Sequence, residues 1–184
     1  RMQADHHPAS AVDTIIHLGA GSCTELDTWL AANPRRVLLV EANPAAARDL
    51  TTRNQGDPRI QVVQKAVAEE SGECNLRLFN MAALSSLRQP TGLLELFPGL
   101  YTKRKVEVEA VTPVELFESY ELKQDSNHWL IIDTPGEEAA IIDALHAADA
   151  VLLGDDGAGD RAHHQHLPSG AGARRGGAPG DGKR

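Results

Sequence analysis

Short apolar runs and amphipathic segments alternate along the chain between residues 12 and 153. Apolar, largely β-branched runs are typical of buried strands, and segments that begin at Thr or Pro and end at Asn are typical of helices. The predicted strands are 12–18, 37–40, 60–68, 129–133 and 150–153. The predicted helices are 24–32, 44–54, 113–120 and 137–147. This alternation predicts a parallel sheet with helices on both faces.

Two further segments have the alternation of strands with one exposed face. They cover 74–79 and 106–111, and period-two alternation places every second side chain on the same face of a sheet. The stretch between them is interrupted by glycine and proline, which predicts a long loop with a short helix at 91–96. We therefore expect an antiparallel hairpin inserted into the parallel sheet.

Composition divides the 184 residues into one α/β domain and two flanking segments. Residues 155–184 are rich in Gly, Ala and Arg, and Leu167 is their only large aliphatic residue. We expect a disordered tail there, either natural or produced by a shift of reading frame. Residues 1–11 have no apolar core and indicate a disordered segment or a tag remnant. The domain is thus predicted at 12–154, truncated after its fifth core strand.

Charge and cysteine content limit the classes of partner. The net charge of −8 would repel phosphate backbones, so nucleic acid is not an expected partner. No run approaches the roughly 18 apolar residues of a membrane span, so no membrane partner is expected. Cys23 and Cys74 do not form a disulfide framework, which favours a cytoplasmic protein, and no metal site is expected. The exposed edge of a truncated sheet would allow homo-oligomers to form.

A glycine turn, Gly19-Ala20-Gly21, follows the first predicted strand. Glycines allow the backbone to approach a nucleotide-type ligand, and the next helix can present free N–H groups. The dinucleotide pattern Gly-x-Gly-x-x-Gly is incomplete because Thr24 occupies its third position. The missing glycine weakens the case for NAD and favours S-adenosylmethionine, which has no pyrophosphate. A tight turn without any ligand is the other interpretation.

Two carboxylates follow predicted strands at positions that suit an adenosine-type ligand. Glu41 lies about 20 residues beyond the glycines, where an acidic side chain can accept both ribose hydroxyls. The alternative for Glu41 is a solvated residue at a strand end. Asp133 ends the strand 129–133 and could orient an acceptor hydroxyl or take its proton. For Glu137 we expect only a favourable charge at the start of a helix.

The order and spacing of these motifs resemble the FkbM family of S-adenosylmethionine-dependent methyltransferases over residues 12–151. The family turn Asp-x-Gly-Ala-Asn-x-Gly stands here as HLGAGSC, its Glu-Pro-x-Pro as EANP, and its Lys-Ile-Asp-x-Glu-Gly-x-Glu as IIDTPGEE. Between EANP and IIDTPGEE lie a strand ending in Ala-Val, a Gly-x-x-x-Leu strand and a Ser-Ser-Leu, in the family order. The departures are His17 for the first acid, Cys23 for the last glycine, Ile131 for the lysine and Pro135 for the middle glutamate.

The resemblance implies a three-layer, Rossmann-like class I methyltransferase fold that transfers a methyl group to a hydroxyl of a small molecule or sugar. It implies S-adenosylmethionine as cofactor and these cofactor-binding residues: His17, Gly19, Ala20, Gly21, Glu41, Ala42, Lys65, Ala66 and Asp133. Asp133 and Glu138 would be catalytic. Because Pro135 cannot supply a carboxylate, the alternative is an impaired domain that binds nucleoside or self-associates. An NAD-dependent oxidoreductase is the third and least favoured hypothesis.

Overall fold

The computed structural model describes residues 12–123 and 126–153 of the chain. Its strands are β1 (Thr14–Leu18), β2 (Arg36–Val40), β3 (Ile60–Val63), β4 (Ala66–Val67), β5 (Gly72–Phe79), β6 (Thr102–Val111) and β7 (His128–Ile132). Its helices are α1 (Leu26–Leu30), α2 (Pro44–Arg53), α3 (Leu93–Leu96), α4 (Pro113–Ser119) and α5 (Glu138–Leu153), with a 3₁₀ turn at Ala82–Leu84.

The central sheet is parallel, with the strand order β3-β2-β1-β7. β1 is buried along its whole length because it has a strand on each side and helices on both faces. Ile15 packs with residues of α1 and α2 on one face, whereas Ile16 and Leu18 pack with residues of α4 and α5 on the other. The predicted α/β class and the parallel sheet between two helical layers are therefore confirmed.

A second, mixed sheet has the order β4-β6-β5. β5 and β6 pair antiparallel, as predicted for the inserted hairpin. The single strand predicted at 60–68 is wrong, since it divides into β3 and β4, which belong to different sheets. The chain turns where Lys65 N–H donates to the carbonyl of Val63 (3.1 Å), after which Ala66 and Val67 pair with β6. An apolar run indicates that a segment is buried, but it does not indicate where the segment stops pairing with one strand and begins to pair with another.

The prediction of a core strand at 150–153 is also wrong. These residues are the last turn of α5, which continues from Glu138 to Leu153. The sequence EAAIIDALHAADAVLL is rich in Ala and Leu, the residues with high helix propensity, and its four-residue apolar end could not be assigned by periodicity. Among the described residues, the central sheet therefore has four strands and not the five that the sequence predicted.

The first helix is shorter than the sequence predicted. α1 covers only Leu26–Leu30, and Glu25 rather than Thr24 occupies its N-cap position, with no side-chain capping bond. The segments 1–11 and 155–184, for which we expected disorder, lie outside the described residues. Within 12–123 and 126–153, no helix combines the length and the apolar character needed to cross a membrane.

Candidate functional site

A cavity of about 420 Å³ opens at the carboxyl edge of the central sheet. It is lined by the segments that follow β1, β2, β3 and β7. The chain adds β2 and β3 on one side of β1 and β7 on the other. The cavity therefore lies at the topological switch point, where open α/β sheets bind ligands.

All nine residues expected to bind a cofactor line this cavity: His17, Gly19, Ala20, Gly21, Glu41, Ala42, Lys65, Ala66 and Asp133. Of the two residues expected to be catalytic, only Asp133 lines it. Glu138 is absent from its lining, and its Oε2 instead accepts a hydrogen bond from Gly136 N–H at 2.8 Å. The fold thus brings the predicted residues together, and their role with a ligand stays a prediction.

The glycine turn is required by the packing of two strands. Gly19 has φ +78°, and a Cβ atom placed there would lie 1.9 Å from the carbonyl oxygen of Asp133. The two strands meet at this point, because Asp133 N–H donates to the carbonyl of Leu18 at 2.8 Å. Because Gly19 has no side chain, the ends of β1 and β7 can lie this close together, and the same turn forms part of the cavity.

The amides of the turn are already used inside the protein. Gly19 and Ala20 N–H both donate to the carbonyl of Val40, at 2.9 and 3.0 Å. Gly21 N–H donates to Glu41 Oε2 at 2.6 Å. The backbone amides of Gly19, Ala20 and Gly21 are therefore not free to bind a ligand. A phosphate at the turn would find these donors occupied.

Glu41 is buried and connects two turns that line the cavity. The residue is only 8% exposed. Its Oε1 accepts a hydrogen bond from Asn43 N–H and its Oε2 accepts one from Gly21 N–H, both at 2.6 Å. The interpretation as a solvated glutamate is therefore wrong. Each carboxylate oxygen has a further lone pair. Glu41 can therefore keep its hydrogen bonds to both turns and still accept a hydrogen bond from a hydroxyl of a ligand in the cavity.

His17 and Cys23 form a neutral pair at the base of the cavity. His17 is 4% exposed, and its ring packs edge-to-face on Trp29 with a centroid distance of 4.7 Å. Its Nδ1 lies 3.8 Å from the Cys23 sulfur. Burial lowers the pKa of His17, opposed by the nearby carboxylates of Asp133 and Glu25. Burial also raises the pKa of the Cys23 thiol to about 11.

Stability should depend on pH through His17. Its pKa is lower in the folded than in the unfolded protein, so the unfolded state binds more protons as the pH falls below 6.5. We therefore expect the free energy of unfolding to decrease as the pH falls from 6.5 to the pKa of His17 in the folded protein. Below that pKa, His17 should cause no further decrease. Urea denaturation at pH 7.5, 6.0 and 5.0 measures this loss.

His17→Gln should remove this component of the pH dependence. His146→Gln, at an exposed position of α5, is the matched control and should retain it. An equal loss of stability between pH 7.5 and 5.0 in the wild type and in His17→Gln would contradict the assignment.

The far wall of the cavity comes from the segment after β5. Arg77 and Ser86 exchange backbone hydrogen bonds of 2.9 and 3.1 Å, which fold this segment back onto the strand. Ser86 Oγ then donates to the carbonyl of Pro135 at 2.5 Å. The motif Ser85-Ser86-Leu87 therefore joins the hairpin to the loop between β7 and α5.

Glu137 is a buried residue of the cavity lining that the sequence did not predict. It is buried, lines the cavity, and its Oε1 lies 2.6 Å from Arg88 Nε. It was expected to be only a helix-terminal charge. Its partner is 49 positions away in the sequence, and no local pattern connects the two.

The cavity is acidic. Five carboxylate residues line it: Glu25, Glu41, Asp49, Asp133 and Glu137. Lys65 is the cationic side chain of the lining, and its Nζ lies 2.5 Å from Glu109, outside the cavity. Asp133 is exposed and accepts no hydrogen bond and forms no ion pair with the described residues. Such a lining attracts cationic groups and repels phosphates.

No protein-family model, curated protein or solved structure matches this chain. Within the part of the chain that the structure describes, no group of three or more His, Cys, Asp and Glu side chains could hold a metal ion. Three histidines that lie close together in the sequence, His163, His164 and His166, are outside the described residues. The functional assignment therefore depends on the geometry and charge of the cavity.

Proposed function

We propose that the cavity binds S-adenosylmethionine and that the chain is a methyltransferase of the FkbM type, with a hydroxyl of a small molecule or sugar as acceptor. The observation that carries the proposal is the buried Glu41 in an acidic cavity at the switch point of the sheet. A carboxylate in this position suits the ribose of an adenosine-type ligand.

The charge of the lining fits this cofactor. S-adenosylmethionine carries a sulfonium and an ammonium group, and the carboxylates of Glu25 and Asp133 have no cationic partner among the described side chains. A dinucleotide would place its pyrophosphate against these carboxylates. It would also find the Gly19, Ala20 and Gly21 amides already bonded. Both features favour the methyltransferase over an NAD-dependent oxidoreductase.

In this proposal the protein positions the acceptor and supplies a base. When bound, the cofactor supplies a methyl group already activated on sulfur, so the main requirement is to align the acceptor oxygen with it. Asp133 is the cavity carboxylate with no hydrogen-bond partner among the described residues, and it lies at the exposed mouth. Asp133 would accept the proton that a neighbouring hydroxyl acceptor loses on methylation, and the sulfur–methyl bond would break to leave S-adenosylhomocysteine.

Binding without transfer is the second candidate function. Pro135 provides only a carbonyl, which accepts from Ser86, and Glu138 does not line the cavity. Asp133 is then the single free carboxylate near the mouth on the β7 side. A domain that binds the nucleoside but transfers slowly would have this arrangement.

Calorimetric titration with S-adenosylmethionine, S-adenosylhomocysteine and NAD tests the proposal. We expect both sulfur-containing nucleosides to bind and NAD to give no heat of binding, because only NAD brings phosphates to the acidic lining. Binding of NAD without binding of S-adenosylhomocysteine would overturn it. Nucleoside binding without methyl transfer to any hydroxyl acceptor would favour the second candidate.

A further inference from the structure

β7 is an edge strand of the central sheet with apolar side chains exposed on both of its faces. It pairs with β1 on one side and with no described strand on the other. Trp129 is 44% exposed and Leu130 is 36% exposed. Successive side chains of a strand point to opposite faces, so the described residues leave both faces of this edge uncovered. An uncovered apolar edge is a ready template for another strand.

Two hydrogen bonds at the ends of β7 show which of its residues direct their backbone N–H and C=O groups toward β1. Asp133 N–H donates to Leu18, and the carbonyl of Asn127 accepts from Asp13, both at 2.8 Å. Hydrogen bonding alternates along a strand, so the odd-numbered residues of β7 bond toward β1. The N–H and C=O groups of the even-numbered residues, His128, Leu130 and Ile132, therefore point outward.

We infer that β7 pairs antiparallel with β7 of a second copy of the chain, across a twofold axis at Leu130, and joins the two central sheets into one. The three outward-facing residues are spaced symmetrically about Leu130. Centring the pair there sets His128 opposite Ile132 of the second copy and Leu130 opposite its equivalent. All six outward backbone groups of each strand then find a partner.

The side chains of the strand suit this partner. In the same register, Trp129 lies opposite Ile131 of the second copy, an aromatic and β-branched pair of the kind that stabilises antiparallel sheets. The strand His128–Ile132 contains no Asp, Glu, Lys or Arg. Two copies that each carry a charge of −8 can therefore meet at this strand without placing like charges opposite each other.

The dimer would also border the cavity. β7 leads directly into Asp133, and the register sets Asn127 of the second copy opposite it. A twofold pairing of this kind is closed, because the same patch is used on both molecules. The expected assembly is a dimer with no further growth.

Sedimentation velocity of the full chain over a range of concentrations tests the inference. We expect a reversible monomer–dimer equilibrium. Trp129→Lys places a charge at the edge, and Leu130→Pro removes an outward N–H while leaving the bonds to β1 intact. Each should weaken dimerisation at least tenfold. Leu96→Lys makes the same change of charge at a 74% exposed position of α3 and should leave it unchanged.

Circular dichroism of each variant separates loss of dimer from loss of fold, and Trp129→Lys decides the matter if Leu130→Pro does not fold. A monomer at every concentration would overturn the inference, as would a dimer that both edge variants leave intact. Assemblies that grow beyond two would overturn it as well, because they would indicate head-to-tail pairing of β7 with the other edge, β3.

Discussion

Replacing Gly19 with Ala is expected to lower the free energy of unfolding by at least about 3 kcal/mol, the largest effect of any substitution considered. The new Cβ would lie 1.9 Å from the carbonyl oxygen of Asp133, and φ at Gly19 is +78°. Backbone atoms cannot rotate out of the way as a flexible side chain can. The ends of β1 and β7 would have to separate, and the cavity between them would change shape.

Two other glycines provide matched controls for Gly19→Ala. Gly21 has φ +53°, but its nearest neighbouring atom is 4.0 Å away, so Gly21→Ala should cost only about 1–2 kcal/mol of left-handed backbone strain. Gly56 has nothing within 4 Å, and Gly56→Ala should change stability by about 0.5 kcal/mol or less. Urea denaturation measures all three. A Gly19→Ala variant no less stable than Gly21→Ala would show that the strands do not meet as described.

Replacing Glu41 with Ala is expected to weaken the binding of S-adenosylhomocysteine by about 1–3 kcal/mol, or roughly 5- to 150-fold. The loss would come from leaving ribose hydroxyls without an acceptor. The substitution also removes the acceptor for the amides of Gly21 and Asn43, so the two turns that frame the cavity should loosen. Stability should therefore fall as well, by about 1–3 kcal/mol.

Glu41→Gln separates these two effects. Its amide keeps one oxygen acceptor, so one of the two turn amides stays bonded and more of the stability should be retained. Affinity should still fall, because the amide is neutral and has a single acceptor oxygen. If Glu41→Gln and Glu41→Ala lose stability while ligand affinity stays at the wild-type value, Glu41 is a structural residue only.

The position of the site could be predicted from the sequence because it depends on strand ends. Gly19, Glu41 and Asp133 each follow a short apolar run, and such runs have few alternatives to being buried strands. Parallel strands bring their carboxyl ends to one edge of the sheet, so the three residues had to meet there. The cavity is lined by all three.

The parts that could not be predicted depend on long-range contacts or on weak local signals. Glu137 meets Arg88 from a distant loop, and no periodicity reports such a pair. Glu41 was correctly placed, but its bonds to the amides of Gly21 and Asn43 depend on how two turns pack. The end of α5 was misassigned because four apolar residues suit a buried strand as well as a helix.

We propose that Glu41 binds the nucleoside in the acidic cavity, and calorimetric titration of S-adenosylhomocysteine into three proteins tests this most directly. These are the wild type, Glu41→Ala and Glu107→Ala, which removes an exposed carboxylate of β6 outside the cavity. We predict that the wild type and Glu107→Ala bind with equal affinity and that Glu41→Ala binds roughly 5- to 150-fold more weakly. No binding to the wild type, or equal affinity in all three proteins, would contradict this role of Glu41.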